Sequence, residues 1–159
     1  MKTLVLCSAN VCRSPAAEAL WRAAAAERGF PGTVASAGLQ ARPGQQRSTQ
    51  MLRLLAAAGV ALPENGASPF IRAVACRHDL VLVMEPAQQQ QVLAIAPELT
   101  GRVQLLGRWG QGTITDPTGG SPQDYATCFS HLSAAVHAWL DKLAIRSVRS
   151  SGMAVAAHA

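Results

Sequence analysis

Apolar and polar positions along the chain alternate between short apolar runs and longer segments with helical spacing. Residues 2–6 form a short apolar run that fits a buried strand. Residues 15–28 follow as a helix: Pro15 sits where a first turn tolerates it, Ala16, Ala17, Ala19, Leu20 and the alanines at 23–26 favour it, and Gly29 ends it. Residues 33–36 suit a second strand. Residues 47–58 read as a helix closed by Gly59, with Met51, Leu54, Leu55 and Ala58 on one face. Residues 79–85 give the clearest strand, a near-continuous apolar run of the kind that parallel sheets covered on both faces require. A helix over 86–96 and a strand over 103–106 come next. The four glutamines at 88–91 read as a solvated face of that helix. Ser121-Pro122-Gln123-Asp124 has the form of a capping box opening a last helix to about residue 143. This alternation predicts an α/β fold, a three-layer sandwich with a central, four-stranded parallel sheet flanked by helices. Residues 1–145 form one domain on this reading, and residues 146–159, rich in Arg, Ser, Gly and Ala, a disordered tail.

Composition narrows the picture. The 159 residues are 49% hydrophobic and 14% charged, against a usual charged share of about 25%. Alanine supplies 30 of them and the aromatics only 7. Such a chain buries a core, and disorder is excluded for most of it. Its apolar runs fall short of the roughly 18 residues of a membrane span, and its N-terminal run is too short for a secretory signal. A soluble, cytoplasmic protein with no membrane insertion is the expectation. The formal charge is +5 and 12 of the 14 basic residues are Arg, but they are scattered, without the stripe that a nucleic-acid partner would read. Cys7, Cys12, Cys76 and Cys128 form no dense disulfide framework, and neither they nor His78, His131, His137 and His158 have metal-ligand spacing. No metal or cofactor is expected. Cys76 and Cys128 read as buried fillers.

One segment carries chemistry. After the first strand comes Cys7-Ser8-Ala9-Asn10-Val11-Cys12-Arg13-Ser14-Pro15, and then a helix. A loop from strand end to helix start turns backbone N–H groups inward, and the helix dipole adds positive potential, which makes a cradle the size of a phosphate. A thiol at its first position is favoured as thiolate by those amides and the nearby guanidinium. Arg13 returns to the rim and can grip two phosphate oxygens at once. Ser14 can donate to the thiolate, and Asn10 tolerates the left-handed backbone such a loop needs. Cys-x5-Arg alone arises by chance. With a strand before it, Ser after the Arg and Pro opening the helix, chance explains it poorly.

Residues 6–15 resemble the phosphate-binding loop of the low-molecular-weight protein tyrosine phosphatases, Cys-x-x-Asn-x-Cys-Arg-Ser-Pro, at every named position. The resemblance continues through Ser36-Ala37-Gly38, residues 79–85 and Asp116-Pro117. It implies a metal-free phosphomonoesterase in which Cys7 attacks phosphorus to give a phosphocysteine. Arg13 and the amides of residues 8–12 hold the equatorial oxygens, and Asp116 protonates the leaving oxygen and then activates water. Ser36 resembles the family serine that bonds the loop asparagine, although a small residue ending a buried strand would look the same. Cys12 resembles the family cysteine that can pair with the nucleophile and shield it from irreversible oxidation; a packed, inert thiol is the alternative.

Several positions depart from the family pattern. Asn65 and Ser68 stand where many relatives carry the loop-bracing His and an Arg, so Asn65 either braces the loop with a shorter reach or leaves it unbraced. Thr118-Gly119-Gly120 follows Asp116-Pro117 where relatives place an aromatic, giving an expected flexible loop. Tyr125, the only tyrosine, either swings inward or caps the last helix. Leu39 stands where eukaryotic-type members approach a Trp-bearing loop, and a pocket walled by Leu39 resembles the bacterial branch paired with tyrosine autokinases of exopolysaccharide export. The implied partner is a phosphotyrosine protein, such an autokinase among them. Some relatives take phosphoarginine instead, a choice influenced by the residue at Val11. Two rival readings remain: arsenate reduction on the same fold, and a phosphate- or phosphotyrosine-binding module without turnover.

Overall fold

The computed structural model describes residues 1–62 and 65–156, with side chains described as far as residue 149. The elements run β1 (Lys2–Cys7), α1 (Arg13–Glu27), β2 (Thr33–Gly38), α2 (Thr49–Ala57), α3 (Arg72–Ala75), β3 (Leu80–Val83), α4 (Pro86–Ile95), a 3-10 turn (Pro97–Leu99), β4 (Val103–Leu105) and α5 (Pro122–Ala156). All four strands are parallel, in the order β2-β1-β3-β4. The chain therefore leaves β1 toward one edge and later returns to its other side. In open α/β sheets, ligands bind beyond the strand ends at such a reversal, and the loop after β1 lies there.

The two central strands, β1 and β3, are buried on both faces because each face is covered. Val5 and Cys7 of β1, with Leu80, Leu82 and Met84 in and beside β3, pack with Trp21 of α1, Met51 and Leu55 of α2, and Leu132 and Leu140 of α5. The intervening Leu4, Leu6, Val81 and Val83 pack on the other side with Val92 of α4, Leu99 and Val103. The period of two along the strands thus separates two cores, and the three-layer sandwich follows from it. Among the described residues no helix is long and apolar enough to cross a membrane.

The element boundaries differ from the sequence reading in informative ways. The helix expected over 47–58 starts at Thr49, because Ser48 caps it by accepting from the Met51 N–H at 3.4 Å. The one-turn helix α3 was not foreseen, being too short for a periodicity to show. The capping box before α5 forms: Ser121 N–H donates to Asp124 Oδ2 at 2.8 Å, and Asp124 N–H to Ser121 Oγ at 3.2 Å. Helix α5 then continues far past the expected end near residue 143. Its buried stripe of Tyr125, Cys128, Leu132, Val136, Trp139 and Leu140 finishes there, while Ile145 and Val148 beyond it are 52% and 72% exposed. The segment 146–156, expected as a disordered tail, is helical, as the continuation of α5. Residues 157–159, and with them His158, lie outside the described residues.

Candidate active site

Residues 8–12 join β1 to α1. Helix α1 begins at Arg13 with Cys12 at its N-cap, no side-chain cap and no acidic residue in its first turn. Its first amides and the positive end of its dipole are therefore available to an anion.

The loop is shaped from outside. Four of its carbonyl oxygens are held outward: Cys7 O by the Leu39 N–H at 3.0 Å, Ser8 O by the Gln40 N–H at 2.8 Å, Val11 O by the Ser48 N–H at 2.9 Å, and Asn10 O by Arg47 Nη1. In a planar trans peptide the N–H points opposite to the C=O. The amides of Ser8, Ala9, Val11 and Cys12 consequently face the concave side. Gly38 makes this approach feasible, since a Cβ there would lie 2.7 Å from Asn10 N and Ser8 O.

Asn10 is the hub. Its φ of 55° is the one positive value among the described non-glycine residues, a conformation that persists only when its surroundings over-determine it. Its Nδ2 donates to Ser14 Oγ at 2.8 Å and to Ser36 Oγ at 2.9 Å, while its Oδ1 accepts from the Ser68 N–H and from Arg47 Nη1, both at 2.9 Å. Ser36 in turn donates to Glu18. Ser14 Oγ, fully buried, lies 3.0 Å from Cys7 Sγ and 3.3 Å from Ala37 O. Because it already accepts from Asn10, its single proton goes to one of those two. A charged sulfur is the stronger acceptor and takes it.

Arg13 is almost wholly buried, which demands partners for its charge. Its Nη1 is paired with Glu85 and donates to Ile114 O at 2.8 Å, and its Nη2 lies 3.5 Å from Asp116 Oδ2. With Nη1 committed, the Nε and Nη2 edge is left for bidentate contact. The Asp116 carboxylate is aimed by its own loop. Its Oδ1 accepts from the Thr118 N–H at 3.1 Å and Thr118 Oγ1 at 2.7 Å, which leaves Oδ2, the oxygen nearest Arg13, free for proton transfer. Pro117 is buried, and the Gly120 N–H closes a turn on its carbonyl at 2.8 Å. The stretch expected to be flexible is thus a tight turn, with Gly119 at φ 79° supplying the conformation it needs.

Cys12 and Cys128 are neutral thiols. Burial pushes the Cys12 pKa from 9.0 up to about 12, with Cys128, Asp116 and Cys7 adding to it against Arg13. Burial likewise raises Cys128 to about 11. All four cysteines are free.

The structure brings Cys7, Ser8, Ala9, Asn10, Val11, Cys12, Arg13, Ser14, Ser36 and Asp116 to one end of the sheet. Leu39 differs. Its main chain holds the loop, but its side chain packs on the core facing α4. Tyr125 is turned inward, buried in the core facing α5. The side chain of Asn65 does not brace Asn10; the residue offers only its carbonyl, which accepts from Arg47 Nε at 3.0 Å. The run at 88–91 is not uniformly solvated. Gln90 and Gln91 are exposed, but Gln88 is buried, donates to Ser8 Oγ at 3.2 Å and accepts from the Met84 and Glu85 N–H groups. Arg47, Glu85 and Gln88 escaped the sequence reading because their partners lie 37, 72 and 80 residues away, and no local spacing marks them.

Comparison with known proteins agrees with this geometry. Residues 2–149 match the family described as low molecular weight phosphotyrosine protein phosphatase. The low molecular weight protein-tyrosine-phosphatase Wzb of Salmonella typhimurium is 37% identical over 145 residues, 89% of this chain and 93% of that protein. The structure of Vibrio vulnificus Wzb in complex with benzylphosphonate superposes with a TM-score of 0.82 at 30% identity, covering 89% of this chain and 97% of that one. A structure of the arginine phosphatase YwlE with a phosphorylated active-site serine gives 0.85 at 27% identity, covering 90% and 95%.

Proposed function

The chain belongs to the low molecular weight phosphotyrosine protein phosphatase family, and from that premise we propose how its own residues carry the reaction and which phosphoester they take. The observation that carries the assignment is the buried Cys7–Ser14–Asn10 array, closed on the far side by Arg13 and Asp116.

The Cys7 thiolate attacks phosphorus in line, forming the S–P bond as the P–O bond to the leaving group breaks. The Asp116 carboxyl gives its proton, from Oδ2, to the departing oxygen. The inward amides of Ser8, Ala9, Val11 and Cys12 hold the equatorial oxygens together with the Nε and Nη2 edge of Arg13, where their charge builds up in the transition state. Asp116, now a carboxylate, takes a proton from water. The resulting hydroxide forms the new P–O bond, the S–P bond breaks, and Cys7 leaves as thiolate under the Ser14 hydroxyl. None of these steps calls on a metal or cofactor. Pro117 and Ser36 support the machinery by fixing the Asp116 turn and Asn10. Cys12 is the thiol we assign to close a disulfide on an oxidised Cys7, with water leaving from the sulfenic acid; the burial that raises its pKa slows this step, because the thiolate is the attacking form.

The substrate we assign is phosphotyrosine in a protein, a bacterial tyrosine autokinase of exopolysaccharide export, met in the cytoplasm. Support comes from the likeness to Wzb, one of whose structures holds benzylphosphonate, an aryl-bearing phosphonate. The likeness to an arginine phosphatase makes phosphoarginine the comparison substrate. The test sets phosphotyrosine, phosphoserine and phosphoarginine peptides side by side with the parent, Cys7→Ser and Asp116→Asn proteins. Phosphotyrosine should be the preferred substrate. Cys7→Ser should abolish turnover, and Asp116→Asn should slow it while inorganic phosphate still binds. Full activity in Cys7→Ser sinks the mechanism, and preference for phosphoarginine sinks the substrate. Thiol-dependent arsenate turnover, or phosphate binding without hydrolysis of any ester, would replace this reading by one of its rivals.

A further inference from the structure

We propose that Arg47 is a positioning residue of this site, a clamp that grips the phosphate loop from outside and keeps its amides turned toward the phosphoryl group. The inference rests on the phosphatase reading above.

The clamp follows from how the four outward carbonyls are held. Those of Cys7, Ser8 and Val11 are held by main-chain amides. The carbonyl of Asn10 is held by the Arg47 side chain. The Asn10–Val11 peptide plane therefore depends on a guanidinium, and with it the inward direction of the Val11 N–H. This is also the residue held in the left-handed region, where a loosened peptide would relax toward ordinary backbone. The same Nη1 reaches Asn10 Oδ1, so main chain and side chain of the hub are tied to one group.

Arg47 cannot swing away easily, because its Nε and Nη2 are engaged as well. Its Nε donates to Asn65 O at 3.0 Å and its Nη2 to Gly66 O at 3.1 Å. The four oxygens it meets, Asn10 O and Oδ1, Asn65 O and Gly66 O, are all neutral, reached at the expense of hydration. Burial draws its pKa below the ordinary value, while Glu18 and the Cys7 sulfur act in the opposite sense. A planar fork with five donors meets this set of acceptors on two chain segments. A lysine ammonium, a point donor on a flexible stem, would reach only part of it.

The experiment compares Arg47→Met, which keeps the stem and removes the donors, with Arg47→Lys. Arg53→Ala, an exposed change on α2, controls for the loss of one positive charge. Each protein is assayed for kcat and KM with p-nitrophenyl phosphate and for the inhibition constant of inorganic phosphate. Rates are scaled to the folded fraction from near-ultraviolet circular dichroism. Arg47→Met should lower kcat/KM by roughly 10- to 100-fold and weaken phosphate inhibition, Arg47→Lys should recover part of both, and Arg53→Ala should match the parent. The clamp is refuted if Arg47→Met stays within twofold of the parent, if its loss vanishes after scaling, or if Arg53→Ala falls equally. Each of these results leaves the phosphatase assignment standing, because that depends on Cys7→Ser.

Discussion

Replacing Gly38 by alanine tests whether the loop is shaped by what lies behind it. An ideal Cβ at this position would come within 2.7 Å of Asn10 N and Ser8 O and 2.8 Å of Ala9 C. Ordinary contact begins near 3.4 Å, so each approach is short by about 0.6–0.7 Å. The three atoms are main chain, so no rotamer relieves the clash and the loop itself must retreat from β2. Overpacking of this kind costs about 1–3 kcal/mol, a fall in Tm of roughly 2–12 °C for a chain of this size. A displacement beyond about 0.5 Å also exceeds what a catalytic constellation tolerates. The expected loss in kcat/KM is about 10- to 100-fold. The assay is steady-state hydrolysis of p-nitrophenyl phosphate beside thermal unfolding. Gly110→Ala serves as the control, since nothing lies within 4 Å of its Cβ position. A Gly38→Ala protein with parental kcat/KM and unchanged Tm would show that the loop holds its own curvature, and the reasoning from the outward carbonyls would fall with it.

Glu85→Gln should lower kcat about tenfold by loosening the aim of Arg13, while inorganic phosphate binds no more weakly because a negative charge has left the rim; parental kcat would refute the role given to Glu85. The buried thiols set an alkaline limit on stability. The Cys12 and Cys128 pKa values are raised by burial to about 12 and about 11 from 9.0, so above pH 9 the unfolded chain sheds two protons that the folded chain keeps. Stability should be flat below about pH 9 on their account and fall from there toward pH 12. Urea midpoints at pH 8 and 10 measure it, and a Cys12→Ala, Cys128→Ala protein should lose the slope.

The layered fold was legible because its two central strands are compact apolar runs and the helices between the strands have clear starts. The nucleophile loop was legible for a related reason: its residues are contiguous, and their spacing is the geometry. What stayed hidden was assembled over distance. Arg47 looks like the polar first residue of a helix, and its role appears only when the fold lays it against Asn10. Glu85 reads as the end of a strand until Arg13, at the start of α1 and 72 residues earlier, is seen to need a counter-charge. Gln88 is one glutamine in a run of four, and helical phase alone turns it inward. The length of α5 was missed for the opposite reason. The sequence announces where burial stops, and the serines and Gly152 beyond it read as an end, yet with no proline in the way the helix continues past them.

In the proposed mechanism the Ser14 hydroxyl, fixed in place with one proton and two neighbours to receive it, acts as a rotor. When Cys7 carries its charge, the O–H turns to the sulfur; when the sulfur is bound to phosphorus, it turns to the Ala37 carbonyl. One torsion answers both changes of charge in a turnover, and no heavy atom has to travel. A water molecule in that place would have to reorient on each occasion, whereas the rotor's axis is set by the Asn10 amide before any substrate arrives. On the nucleophile's side of the site, the response to the changing charge is thus carried by a single hydrogen atom.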